Sequence, residues 1–192
     1  MIFSRLAWFA QAGDPQPERD VMSQNALPAG TMLDRNLEVK RTLGEGGFGI
    51  TYLAHDHDLQ QDLVLKEFFP TAWARRVGTR IVASGDDEAR ANFAHFLKRF
   101  LDEARAAARI DHKNLVRVHR FFPENGTGYF AMPWHEGETL EQLLARRSVL
   151  PATEAIAIVE PILDGLEVLH AAGLIHRDIK PANIYLREHG GP

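Results

Sequence analysis

Between residues 44 and 49 the chain reads Gly-Glu-Gly-Gly-Phe-Gly, and what flanks that run narrows the folds open to it. From 37 to 43 apolar and polar residues alternate, and Ile50-Thr51-Tyr52-Leu53-Ala54 is β-branched and aromatic, so the glycines join two strands. A G-x-G-x-x-G run also marks dinucleotide-binding folds, but there the last glycine opens a helix whose N-terminus carries a pyrophosphate. Here Gly49 opens a strand. Glycines at 44, 46 and 49 let main-chain N–H groups approach a phosphate chain without side-chain collision, with Phe48 at the tip as a shield from water.

Residues 62 to 68 read as a third strand, which carries Lys66 and ends at Pro70. Residues 71 to 85 are mixed in character, broken at Gly78 and Gly85, and read as an insertion. Asp86 and Asp87 offer an N-cap to a long amphipathic helix on which Phe93, Leu97, Phe100, Ala104 and Ala108 recur at helical spacing, to about Ile110. At 100° per residue Glu103 lies at the edge of that apolar stripe beside Phe96 and Ala107, and Asp102 falls on the opposite side. Two more strands, 115 to 122 and 128 to 132, are joined by a Glu124-Asn125-Gly126 turn. The sum is a five-stranded antiparallel sheet with one helix.

Thr139 and Gln142 then form a capping box for a short helix through Leu143 and Leu144. A second long helix carries Ile158, Val159, Ile162, Leu163, Leu166 and Leu169 on one face and is closed by Gly173. Pro161 inside it removes one intrahelical bond and predicts a kink.

A 192-residue chain that is 45% apolar can bury the core of one domain or of two small lobes. Its net charge of -4 argues against wrapping nucleic acid or lying on an anionic membrane. The absence of cysteine excludes disulfides and thiolate metal sites and fits a reducing compartment, so a cytoplasmic location is expected. Residues 1 to 12 are apolar but interrupted by Arg5 and too short to span a membrane, so no membrane contact is expected from this segment. A proline-broken polar stretch follows from 14 to 20, Met22 is a possible alternative translation start, and disorder is expected over residues 1 to 30.

The run His176-Arg177-Asp178-Ile179-Lys180-Pro181-Ala182-Asn183 places an acid, a lysine two positions on and an amide five positions on. It resembles the catalytic loop of eukaryotic-type serine/threonine protein kinases, including their bacterial members. The glycine run and Leu63-Val64-Leu65-Lys66 match the same family in the same order. The resemblance implies an α+β, protein-kinase-like fold: a complete five-stranded amino-terminal lobe with one long helix over 31–132, then a hinge and the first part of a helical lobe over 133–192.

It also implies roles. ATP and magnesium are the cofactors and a protein Ser/Thr hydroxyl the acceptor, a choice that Lys180 favours over tyrosine. Asp178 accepts or orients the proton of the attacking hydroxyl, Lys180 stabilises the transferring γ-phosphoryl group, and Asn183 holds a magnesium ion. Leu43, Gly44, Glu45, Gly46, Gly47, Phe48 and Gly49 form the phosphate loop, while Lys66 contacts the α- and β-phosphates with Glu103 as its partner. The span from 66 to 103 is long for the family, which the 71–85 insertion accounts for. Thr51 and Val64 line the adenine pocket, where they stand for the usual valine and alanine and make it more polar and narrower. Met132 is the gatekeeper, and the Pro133 carbonyl and His135 N–H face the adenine, so proline's missing donor costs no adenine hydrogen bond. Thr139 reads equally as a ribose contact or as the cap alone. His176 supports the loop from inside, and Arg177 would pair with a phosphorylated activation segment.

His55-Asp56-His57-Asp58 reads as a solvated hairpin turn and not as a metal site, because no further ligands converge on it. In the family the chain continues beyond Asn183 to Asp-Phe-Gly, whose aspartate is the other magnesium ligand. The sequence resembles a domain truncated before that point, expected to be catalytically poor as it stands. The rival expectation is a nucleotide-binding or scaffolding pseudokinase-like module that performs no chemistry.

Overall fold

A computed structural model describes residues 25–187. These form two compact units, one of residues 25–108 and 118–134, the other of residues 109–117 and 135–187. The first is built on an antiparallel sheet of β1 (Met32–Leu33), β2 (Leu37–Gly46), β3 (Gly49–Asp56) and β4 (Gln61–Phe68), extended by β7 (Arg120–Glu124) and β8 (Thr127–Pro133) in the spatial order β1-β2-β3-β4-β8-β7. The five expected strands are present, and the two-residue β1 adds a sixth. β7 begins only at Arg120, so residues 115–118, expected to open a strand, lie outside it, while the His119 N–H already donates to the Ala131 carbonyl of β8 at 2.9 Å. Between β7 and β8, Asn125 (φ 52°) and Gly126 (φ 75°) make the two-residue turn that matches strand twist, and a Cβ on Gly126 would come within 2.5 Å of the Ile81 carbonyl oxygen.

The 71–85 insertion is itself ordered, as a hairpin of β5 (Ala74–Val77) and β6 (Arg80–Ala83). The sequence predicts disorder through residue 30, but residues 25–30 pack on the sheet: Leu27 is buried and its N–H donates to Tyr52 Oη at 3.1 Å. Residues 1–24 lie outside the described residues.

Register divides the sheet's side chains between its faces, because directly paired residues share a face and successive ones alternate. Thr51, Lys66 and Phe130 stand in one cross-strand row and Leu53, Val64 and Met132 in the next, all on one face. α1 (Asp87–Ala107) covers that face, with Phe68 packed 5.6 Å from Phe93 and 5.4 Å from Phe100, ring to ring. Its expected N-cap is present, Asp86 accepting from the Ala89 N–H at 2.9 Å.

The opposite face holds Tyr52, Glu67 and Tyr129. Glu67 is 0% exposed. Its carboxylate accepts from Tyr52 Oη at 2.7 Å, Tyr129 Oη at 2.5 Å and Arg76 Nη2 at 2.5 Å. Arg76 comes from the hairpin and also donates to the carbonyls of Asn25 and Thr79, with its guanidinium 5.3 Å from the Phe69 ring centre. Burial, reinforced by the Glu67 charge, pushes both tyrosine hydroxyls well above their ordinary range, so they remain donors. Burial works against the Arg76 cation, and the Glu67 carboxylate outweighs it.

In the second unit β9 (Gly137–Thr139) leads into α2 (Leu140–Arg147), followed by α3 (Ala152–Ala171), a 3-10 turn (Pro181–Asn183) and β10 (Tyr185–Arg187). The capping box is formed on both sides: Thr139 Oγ1 accepts from the Gln142 N–H at 3.2 Å and Gln142 Oε1 from the Thr139 N–H at 2.8 Å. Replacing Thr139 by alanine is expected to cost about 1 kcal/mol of stability, read as a lower urea midpoint. α3 contains Pro161 and ends as the sequence predicts. Gly173 (φ 76°) donates to the His170 carbonyl at 2.9 Å and Leu174 to that of Leu169 at 3.1 Å, a Schellman closure. Gly165 of α3 packs against Leu115, while Ile156, Val159 and Leu163 are exposed, Leu163 by 57%.

Candidate active site

The glycine loop is a tight hairpin in which Gly46 pairs with Gly49 across Gly47 and Phe48. None of its glycines needs a left-handed backbone; they differ in the space around them. A Cβ on Gly47 would meet nothing within 4 Å, and one on Gly46 only the Gly49 carbonyl oxygen at 3.9 Å. Folding does not require glycine at those two positions, and its absence of bulk keeps the backbone open to a ligand. Gly49 differs: a Cβ there would lie 2.5 Å from the Glu67 carbonyl oxygen. Gly49→Ala is therefore expected to cost about 1–3 kcal/mol in urea unfolding, whereas Gly47→Ala leaves stability near unchanged.

Directly beneath the loop, the Lys66 side chain reaches within 3.9 Å of where that Cβ would be. Lys66 stands on the α1 face of the sheet, opposite its neighbour Glu67. Glu103 is half-buried on α1, one turn on from the buried Phe100 and beside the buried Ala104 and Ala107. Asp102 is on the solvent side, 2.6 Å from Arg105. Val64 and Met132 are buried side by side on the lysine's face, Thr51 is buried next to them, and Leu43 is buried at a β-bulge in β2. Pro133 closes β8 opposite Leu63.

In the second unit the His176–Asn183 run folds around its own acid. Asp178 Oδ2 lies 3.1 Å from Lys180 Nζ and accepts from Asn183 Nδ2 at 2.9 Å, and the same amide donates to the Asp178 carbonyl at 2.8 Å. Burial pushes the Asp178 carboxyl up, but Lys180 and Asn183 outweigh it and hold it below the usual carboxylate range. His176 is 5% exposed, and its Nδ1 accepts from the Asp178 N–H at 3.4 Å. Arg177 adopts φ 62°, a left-handed backbone unusual for a non-glycine residue. Both amide hydrogens of Asn183 are spent on Asp178, so its Oδ1 is the atom suited to a hard cation.

Two residues that sequence reasoning passes over hold this loop. β10 pairs antiparallel with β9, and Tyr185 Oη lies 2.9 Å from the His135 carbonyl and 2.8 Å from that of Gly137. A Cβ on Gly137 (φ 148°) would collide with the Leu186 carbonyl. The apolar run Ile184-Tyr185-Leu186 is the available signal. At His55-Asp56-His57-Asp58 the β3–β4 turn is capped by Asp56, which accepts from the N–H groups of Asp58 and Leu59. His55 and His57 pair with Asp62 and Glu38.

One unit thus holds a strand-borne lysine under a glycine hairpin, and the other gathers an acid, a lysine and an amide on one loop. The family model for the protein kinase domain matches residues 37–191. The chain belongs to the protein kinase family. It is 33% identical over 159 residues to serine/threonine-protein kinase PknL of Mycobacterium tuberculosis, covering 83% of this chain and 35% of PknL. With serine/threonine-protein kinase PrkC of Bacillus subtilis the identity is 29% over 161 residues, covering 84% of this chain and 22% of PrkC. Among solved structures, the apo form of PpkA-294 superposes with a TM-score of 0.78 at 35% identity, over 85% of this chain and 58% of that one. The M. tuberculosis PknI kinase domain gives 0.68 at 30%, over 85% and 59%. The kinase chain thus spans about a third or less of these curated relatives. Among the described residues no helix is long and apolar enough to cross a membrane, and no cluster of three or more His, Asp or Glu could hold a metal ion.

Proposed function

We propose that this kinase chain binds ATP with magnesium and serves phosphoryl transfer to serine or threonine hydroxyls of a protein, in the cytoplasm. The observation that carries the proposal is the Asp178 carboxylate held between Lys180 at 3.1 Å and Asn183 at 2.9 Å. Phosphoryl transfer asks little covalent work of a protein beyond positioning and charge stabilisation. Asp178, ionised because its neighbours keep its proton affinity low, orients the acceptor hydroxyl and takes up its proton. Lys180 stabilises the negative charge on the transferring group.

Glycines 44 to 49 present main-chain N–H groups to the phosphates, with Glu45 and Phe48 in the same loop, and Lys66 neutralises the α- and β-phosphates with Glu103 as partner. Leu43, Thr51, Val64 and Met132 surround the adenine, and Pro133 and His135 supply the main-chain carbonyl and N–H that read its edge. Asn183 Oδ1 fits magnesium, which takes oxygen ligands and is commonly held by one or two protein groups plus substrate phosphates and water. When bound, the metal would neutralise phosphate charge.

The full-length protein carrying this sequence tests the reading by transfer of labelled γ-phosphate to a mixture of protein acceptors, followed by phosphoamino-acid analysis. Label on serine or threonine is expected. Nucleotide binding with no transfer would turn the assignment toward a scaffold.

A further inference from the structure

The segment between β4 and α1 reaches the aromatic ring at the tip of the glycine loop through Trp73. The Trp73 indole stacks on Phe96 of α1, with centroids 4.9 Å apart and planes at 13°, and meets the Phe48 ring edge-on at 6.2 Å and 68°. Phe48 is the tip of the glycine loop. The main chain beside it is held too: the Phe69 N–H donates to the Phe48 carbonyl at 3.0 Å and the Thr71 N–H to the Gly47 carbonyl at 3.1 Å. Trp73 is itself anchored. Its carbonyl accepts from the Ser84 N–H at 2.7 Å across the base of the hairpin, which Arg76 fastens to buried Glu67.

We infer that Trp73 is a positioning residue for the phosphates of the nucleotide, acting through Phe48 to hold the tip of the glycine loop in its ligand-ready shape. The inference rests on the ATP reading above. A planar trans peptide carries its N–H on the side opposite its C=O. With the Gly47 carbonyl turned onto Thr71, the Phe48 N–H of the same peptide points away from Thr71. A loop so rich in glycine would otherwise lose much backbone freedom when a ligand ordered it, and holding it in advance favours binding. Through Phe96, the same indole joins the loop tip to the helix that carries Glu103.

A fluorescent ATP analogue titrated with magnesium into the full-length protein tests this. Trp73→Ala is expected to weaken binding about three- to tenfold, as loss of an aromatic pair implies, and Trp73→Phe to restore most of it. In a Phe48→Ala background, Trp73→Ala should add less than about twofold, since its effect runs through the missing ring. The phenylalanine variant keeps the comparison usable if the alanine variant folds poorly. Unchanged affinity in Trp73→Ala overturns the inference, as does a full effect that persists without Phe48, which would make Trp73 a general support of the sheet. Tight nucleotide binding that ignores Trp73 removes this inference alone, whereas no nucleotide binding by the unaltered protein removes the ATP reading with it.

Discussion

Arg76→Met lowers the stability of the sheet-bearing unit by about 3–5 kcal/mol, the range found when one member of a buried ion pair is deleted. The arginine side chain is 5% exposed and its partner Glu67 0%, so the remaining carboxylate has no access to water and keeps only the two tyrosine hydroxyls. The loss exceeds that of a methylene-sized cavity because a charge is left uncompensated in a low-dielectric interior. It should appear as a much lower urea midpoint with an unchanged slope. The companion change Glu67→Gln, made on top of Arg76→Met, should recover a large part of it, since an amide needs no counter-ion and still accepts from Tyr52 or Tyr129. A cost below about 1 kcal/mol for Arg76→Met would mean that the pair is solvated after all.

On the proposed function, Asp178→Asn in the full-length protein is expected to reduce phosphoryl transfer by a factor of about 10²–10⁴, the usual contribution of a positioned general base, or about 3–5 kcal/mol of barrier. The substitution keeps the shape that Lys180 and Asn183 pack around but removes the proton acceptor. The loss should therefore fall on kcat, leaving KM for ATP within about twofold. A variant that retains a tenth or more of the rate would remove Asp178 from the chemistry. pH adds a second check. A carboxylate base works when ionised, and Asp178 is held below the ordinary range, so the acid limb of the rate profile should lie below that of an unperturbed aspartate. Lys180→Met removes one of the groups that lower it while leaving the burial that raises it, so the acid limb should move to higher pH.

Features that depend on neighbours along the chain are legible in the sequence. The glycine hairpin, the Asp86 cap, the Thr139–Gln142 box, the Asn125-Gly126 turn and the Gly173 closure each rest on residues a few positions apart, where backbone sterics and capping dominate. What escapes depends on distant partners. The β9–β10 ladder joins residues 46 to 50 positions apart and carries no local alternation to announce it. Sequence pattern starts β7 too early because Leu115 looks like strand but packs with Gly165 of α3 in the other unit. The 71–85 segment reads as an insertion, and its charged stretch gives no hint that Arg76 is buried. Residues 25–30 look like tail, yet Leu27 is tied to a tyrosine 25 positions away. Motif spacing picks out Lys66 in one unit and Asp178, Lys180 and Asn183 in the other, while Tyr185, Gly137 and Trp73 belong to no motif and emerge only from contacts.

The alternation of a single strand sets Lys66 and Glu67 back to back, one below the glycine arch and the other sealed with Arg76. Adjacent codons thus answer to different pressures. A mutational scan scored on cellular abundance should tolerate changes at the first and punish them at the second, and one scored on turnover should punish both.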